Sequence, residues 1–149
     1  MRYLITIFFY FLLQSNTFAT PVKDFTARYN LYHSGLYIGQ SKKSLTTKND
    51  FLTLSSISKT AGIAAWFFDI TITETSKLQF KNNRLNFFSY SYVEKGKDKN
   101  ENIQLHLEQP QSFYNSHTKK RYPVAKNLHD VLGFTVAIMH DLQAGKREI

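Results

Sequence analysis

Residues 25–59 read FTARYNLYHSGLYIGQSKKSLTTKNDFLTLSSISK, and their spacing decides the fold. Phe25, Ala27, Tyr29 and Leu31 alternate with Thr26, Arg28, Asn30 and Tyr32. A period of two places alternate side chains on opposite faces of a strand, so one face is buried. Ser34-Gly35 marks a turn, Leu36 to Thr47 a second strand and Lys48-Asn49-Asp50 another turn. Phe51 to Lys59 is a third strand, with Leu52 and Leu54 on one face and Phe51, Thr53 and Ile57 on the other. Consecutive strands joined by short turns form an antiparallel meander. Gly35 reads as a turn residue and Gly39 as a bulge or a close-packing position.

The pattern continues outward. Ala61 to Phe68 (AGIAAWFF) is apolar, small at its start and aromatic at its end. It is either a short helical or irregular link packed under the sheet, or it leads straight into the next strand. Asp69 to Leu78, Leu85 to Glu94 and Asn102 to Glu108 alternate as strands, with Asn82-Asn83 and Lys95 to Asn100 as connections. Ile103, Leu105 and Leu107 point inward. Gln111 to Ser116 pairs next, and Tyr122-Pro123 ends the region. Asp130 to Ala144 differs: Val131, Leu132, Phe134, Val136, Ala137, Ile138, Met139 and Leu142 make a helix apolar around most of its circumference. Such a helix should be largely covered. Asp130 suits its N-cap and Gly145 its C-terminal stop, with Lys146 and Arg147 near the negative end of the dipole.

The fold class that follows is mainly β with a C-terminal α-helix. Strands near ten residues twist and curl, so a curved antiparallel sheet, or half-open barrel, should pack on the one helix. That shape leaves an apolar trough, for which Trp66, Phe67, Phe68, Phe88, Tyr90 and Phe134 are the expected lining.

The N-terminus carries Arg2, an unbroken apolar run from Tyr3 to Leu13, and a small-residue site ending at Ala19. This is the layout of a secretory signal peptide cleaved after Ala19. The run is too short for a spanning helix, which needs about 20 apolar residues. Residues 1–19 are therefore expected to leave, and residues 20–149 to fold as a single β-rich domain in the periplasm or outside the cell. There is no cysteine in the chain, so disulfides, thiol catalysis and thiolate metal sites are excluded. The net charge is +8, with the lysines and arginines scattered and Lys119-Lys120-Arg121 the densest run. Scattered basic residues keep a domain soluble, and lipid headgroups or other polyanions are the alternative partners. Export argues against a nucleic-acid partner.

Candidate chemistry is sparse. His129 and His140, were they on one helix, would project from nearly the same side but about 16 Å apart, too far for one metal. Asp130 is more simply a helix cap than a general base. Glu74 lies among Thr71, Thr73, Thr75 and Ser76, on a solvated strand face or turned inward. No G-x-S-x-G, H-E-x-x-H, P-loop or G-x-G-x-x-G occurs. No catalytic residue, cofactor or metal is expected.

Several segments resemble one known family: Phe25-Thr26-Ala27-Arg28-Tyr29, Gly35-Leu36-Tyr37-Ile38-Gly39, Thr73-Glu74-Thr75-Ser76, and Asp130-Val131-Leu132 running to Leu142-Gln143-Ala144-Gly145-Lys146. In this order, over most of residues 23–147, they are similar to the exported bacterial family called domain of unknown function 3108, DUF3108. The resemblance implies a β-rich envelope protein without established activity, and so brings no catalytic residues. Members of that family usually continue past the helix with further strands, whereas this sequence stops at Ile149. Truncation or a short variant would leave a sheet edge open for a protein partner. The expected function is binding of an apolar or amphipathic, lipid-like envelope component. A protein-interaction or structural scaffold is the alternative, and a hydrolase built on Glu74, Asp130 and a histidine comes third.

Overall fold

A computed structural model describes residues 22–82, 84–108, 112–125 and 128–145. The expected leader, Asn83 and Gln111 of the expected turn and strand, and Lys146 and Arg147 lie outside the described residues. Eight strands form one antiparallel sheet in sequence order: β1 (Phe25–His33), β2 (Leu36–Lys48), β3 (Phe51–Thr60), β4 (Thr71–Lys81), β5 (Arg84–Lys95), β6 (Asn100–Glu108), β7 (Ser112–Asn115) and β8 (Lys120–Pro123). The sheet does not close, because β1 and β8 do not pair. A short helix, α1 (Ala64–Phe68), links β3 to β4, and α2 (Val131–Gln143) follows the sheet. The fold is thus mainly β with a C-terminal helix, as the alternation predicts.

The register fixes which residues share a face. Leu45 pairs with Leu54, Leu54 with Ser76, Ser76 with Tyr90, and Tyr90 with Leu105. Leu52 pairs with Leu78, and Leu78 with Phe87. These residues share the face that carries α2. Beneath the helix lies the core: Leu45, Leu52, Leu54 and Leu78 meet Leu132 and Val136 of α2 and Val22 from the N-terminal segment. Phe25, Phe80, Leu85 and Met139 flank this cluster. Leu78 is 0% exposed, and its burial is worth roughly 1.5–3 kcal/mol on transfer grounds alone.

Asp130 seats the helix. One carboxylate oxygen accepts from the backbone N–H groups of Leu132 and Gly133, both at 2.9 Å. The other accepts from Ser76 Oγ at 2.7 Å. The N-cap therefore satisfies two orphan donors and ties the helix start to the middle of β4. Gly133 allows the approach, since a Cβ there would stand 3.0–3.1 Å from Asp130, Leu78 and Ser76. Gly145 has a φ of +77° just beyond the helix, the expected stop.

Three expectations change. The C-terminal helix is not largely covered: Val131, Phe134 and Leu142 are exposed, because α2 lies on one face of a single sheet and only its Leu132, Gly133, Val136 and His140 side is buried. The Ala61–Phe68 link is a helix, but it is not packed under the sheet, and α1 contains no buried residue. An eighth strand, Lys120–Pro123, pairs with β7, although its residues are exposed and it lacks apolar alternation. Its Lys120, Arg121 and Pro123 guard that edge against further pairing, whereas β1 presents a nine-residue edge.

Leu78→Ala should lower unfolding stability by about 2–5 kcal/mol in urea melts, from lost burial plus an unfilled cavity. Leu36→Ala, at a residue 66% exposed, should stay within about 0.5 kcal/mol of the parent.

Candidate functional site

Along the helix-bearing face, three neighbouring strands pass from leucine to small or polar residues, β4 one register step before β2 and β3. β2 reads Leu45, then Lys43, Ser41 and Gly39. β3 reads Leu52 and Leu54, then Ser56 and Ser58. β4 reads Leu78, then Ser76 and Glu74. Leucines fill the space under α2, and small or polar residues occupy the half the helix does not reach. A cavity of about 430 Å³ opens there, lined by Tyr29, Asn30, Leu31, Ser41, Lys43, Ser56, Ser58 and Glu74. Its volume falls within the range of small-molecule sites, about 300–1,000 Å³.

Ser41 and Ser56 are buried and form the floor. Ser58 Oγ donates to Ser41 Oγ at 2.9 Å, joining β3 to β2 through their side chains. Gly39, two residues from Ser41 on the same face of β2, must be glycine: a Cβ would stand 2.5 Å from the Lys59 carbonyl oxygen. Tyr29 and Leu31 of β1 rise on one side, Lys43 and Glu74 supply opposite charges, and the serines supply hydroxyls that both donate and accept.

Glu74 is oriented by its neighbour across the strand. Tyr90 Oη donates to Glu74 Oε1 at 2.8 Å. Burial, the bond to Glu74, and the charges of Glu74 and Asp130 all push the Tyr90 phenol well above its ordinary range. It is a neutral donor at physiological pH, not a base or nucleophile. One register step on, Tyr92 Oη donates to Glu94 Oε2 at 2.7 Å, and this bond, with partial burial and the Glu94 charge, pushes the phenol up to about 12. Lys99 bridges Glu94 at 3.2 Å and Glu101 at 2.7 Å. The Glu94 carboxyl is held below its usual range, first by the Tyr92 bond and then by Lys99. Polar groups that anchor one another in this way present a fixed hydrogen-bonding surface.

The six residues expected to line an apolar trough do not come together. Trp66, Phe67 and Phe68 are 86%, 66% and 60% exposed on α1. Phe88 sits at a β-bulge beside Lys77 and Leu78, which turns it to the outer face. There its ring meets Phe51 edge-on at 4.9 Å, with Lys77 Nζ 4.2 Å from the Phe51 centroid. Phe134 is 53% exposed on α2. Tyr90 alone adjoins the cavity, through its bond to Glu74.

The residues that sequence reading missed are the serines and Lys43. The signal was present as the change from leucine to serine at successive inward positions of three strands. His129 precedes the Asp130 cap, so it is not on the helix with His140. His140 is buried against Phe80, ring centroids 5.6 Å apart. Among the described residues no three His, Cys, Asp or Glu side chains are grouped to hold a metal ion.

Tyr90 generates a pH prediction. Its folded pKa lies above its ordinary 10.0, so the folded state holds this proton more tightly than the unfolded one. The stabilisation is complete below pH 10.0 and is lost as pH rises through the folded value. Glu74→Gln removes the carboxylate charge, so an ultraviolet phenolate titration should show one tyrosine ionising earlier, with a shallower alkaline loss of stability. An unchanged titration curve would count against the contact.

No curated protein and no solved structure matches the chain. A family model described as "Protein of unknown function (DUF3108)" matches residues 24–149, from just before β1 to beyond α2, and the chain belongs to that family.

Proposed function

We propose that the protein is a non-catalytic binding module that takes an amphipathic ligand onto the half of its sheet left uncovered by α2. The observation that carries this reading is the leucine-to-serine change across β2, β3 and β4, which leaves a cavity with a buried serine floor and opposed Lys43 and Glu74. Lys43 offers a charge to an anionic headgroup, the hydroxyls and Glu74 offer hydrogen bonds, and Tyr29 and Leu31 offer apolar surface to the adjoining chain. Burial of each ligand methylene is worth about 0.8 kcal/mol, so a short apolar contact is enough for useful affinity. The leader-like Arg2 to Ala19 segment supports an exported setting in the cell envelope, where amphiphiles of this kind are abundant. The capping role of Asp130, whose two carboxylate oxygens are taken by the helix start and by Ser76, weighs against the hydrolase reading.

A second reading rests on β1. Its nine residues form the longer edge of an unclosed sheet, and a strand from another envelope protein would pair there as a scaffold contact.

Native mass spectrometry of protein prepared from envelope fractions should reveal a co-purified amphiphile. A fluorescent single-chain fatty acid should bind the stripped protein saturably at one site. Ser56→Leu, which fills the floor, and Lys43→Ala, which removes the cation, should each weaken binding at least about tenfold, a change of roughly 1.4 kcal/mol. Unaltered affinity in both variants, with their circular dichroism intact, would sink the cavity reading. A co-purified protein lost on introducing proline into β1 would favour the scaffold.

A further inference from the structure

The loop carrying α1 is the most exposed apolar feature of the described chain. Ile63 is 70% exposed and Trp66 86%, with Phe67 and Phe68 beside them. This is not a loose segment. Its base is closed by Thr60 N–H to the Ile70 carbonyl at 3.0 Å, Ile70 N–H to Thr60 Oγ1 at 2.9 Å, and Ala61 N–H to the Ile38 carbonyl at 3.0 Å. Gly62 with φ +62° and Asp69 with φ +27° turn the chain sharply at either end of the five-residue helix. The fold thus holds a tryptophan and two phenylalanines outward on a braced knuckle, in place of tucking them against the sheet.

The setting of the knuckle is basic. Lys59 and Lys95 both pair in register with Thr71, the first residue after the loop, and Gly96 packs against Ile70 and the Phe68 carbonyl. Lys59, Lys95 and Lys97 are exposed and form no ion pair among the described residues. The exposed acids here are Asp69 and Asp98, while Glu94 and Glu101 are half-buried and engaged by Lys99. The chain as a whole carries +8. Aromatic rings at a tip, with cations around them, match the layered chemistry of a bilayer interface: rings at headgroup depth and ammonium groups against lipid phosphates.

From this arrangement we infer that the α1 knuckle is a membrane-docking wedge, with an anionic lipid surface as its partner. The wedge does not depend on the cavity being occupied. It inserts Trp66, Phe67 and Phe68 shallowly, and the surrounding lysines draw the protein to the surface and make attachment sensitive to salt.

Trp66 is the sole tryptophan, so it reports on the wedge directly. Its emission should move to shorter wavelength when the protein is mixed with vesicles of phosphatidylcholine containing phosphatidylglycerol. The move should be weaker with phosphatidylcholine alone and should be reversed by high salt. Phe67→Ser with Phe68→Ser, both at exposed sites, should cut co-sedimentation at least about tenfold without changing the thermal melt. Lys95→Gln with Lys97→Gln should weaken binding to anionic vesicles selectively. Ser56→Leu should leave vesicle binding intact, which separates this inference from the cavity reading. Three results would overturn it: emission unmoved by anionic vesicles, a protein-concentration-dependent blue shift without lipid (a second copy covering the knuckle), or loss of vesicle binding in Ser56→Leu.

Discussion

The contact between α2 and the leucines of β2, β3 and β4 is the constraint on which the rest depends. A single open sheet leaves the leucines of its inner face uncovered unless another element packs on it. It needs a second layer, and here that layer is one helix of 13 residues. Such a helix is about 20 Å long, whereas the 13-residue β2 runs for about 40 Å. The helix can therefore cover only part of the sheet's length. Its position is set by the Asp130 carboxylate, which caps the helix and accepts from Ser76 in the middle of β4. A capping residue that also binds the sheet converts a local end effect into a long-range tether, over 54 residues of sequence.

From that placement the division of the face follows. Where the helix lies, the strands carry Leu45, Leu52, Leu54 and Leu78, all essentially buried. Where it does not, the same strands carry Ser41, Ser56, Ser58 and Glu74. The packed leucines and the proposed binding surface are thus separated along the strands. The bulge at Phe88 serves the same separation. By turning that ring outward onto Phe51 and Lys77, it keeps bulk off the helix-bearing face between Phe87 and Tyr90.

Most of the fold was legible in residue spacing. The alternation of Phe25 to Leu31 and of Leu52 and Leu54, the Ser34-Gly35 turn, and the Asp130 and Gly145 helix boundaries all appear where periodicity puts them. The candidate site was less legible, for two physical reasons. Large aromatic residues favour enclosed sites, yet a bulge and a braced loop hold Phe88 and Trp66 away from the inner face. Serine reads as neutral in a strand, and only the register brings Ser41 beside Ser58, and Ser56 between Lys43 and Glu74, on the face that carries the leucines. Equally, apolar residues around most of α2 suggested a helix enclosed on all sides, whereas Val131 and Phe134 are exposed. A helix's composition fixes how much apolar surface it offers, and the number of layers in the fold decides how much of it is covered.

A polar half-face has a simpler explanation that must be weighed against a binding role. Any part of a sheet without a helix over it meets water, and serines there avoid an exposed apolar patch. That account predicts serines that are themselves exposed, as Lys42 and Thr46 are on the opposite face. Ser41 and Ser56 are instead 6% and 3% exposed, although no helix covers them. Their burial comes from the strands and from the side chains that stand around them, Tyr29, Lys43 and Glu74 among these. Short hydroxyls set between longer side chains create a concavity with directional donors and acceptors at its base, which is the shape that the proposed binding role requires.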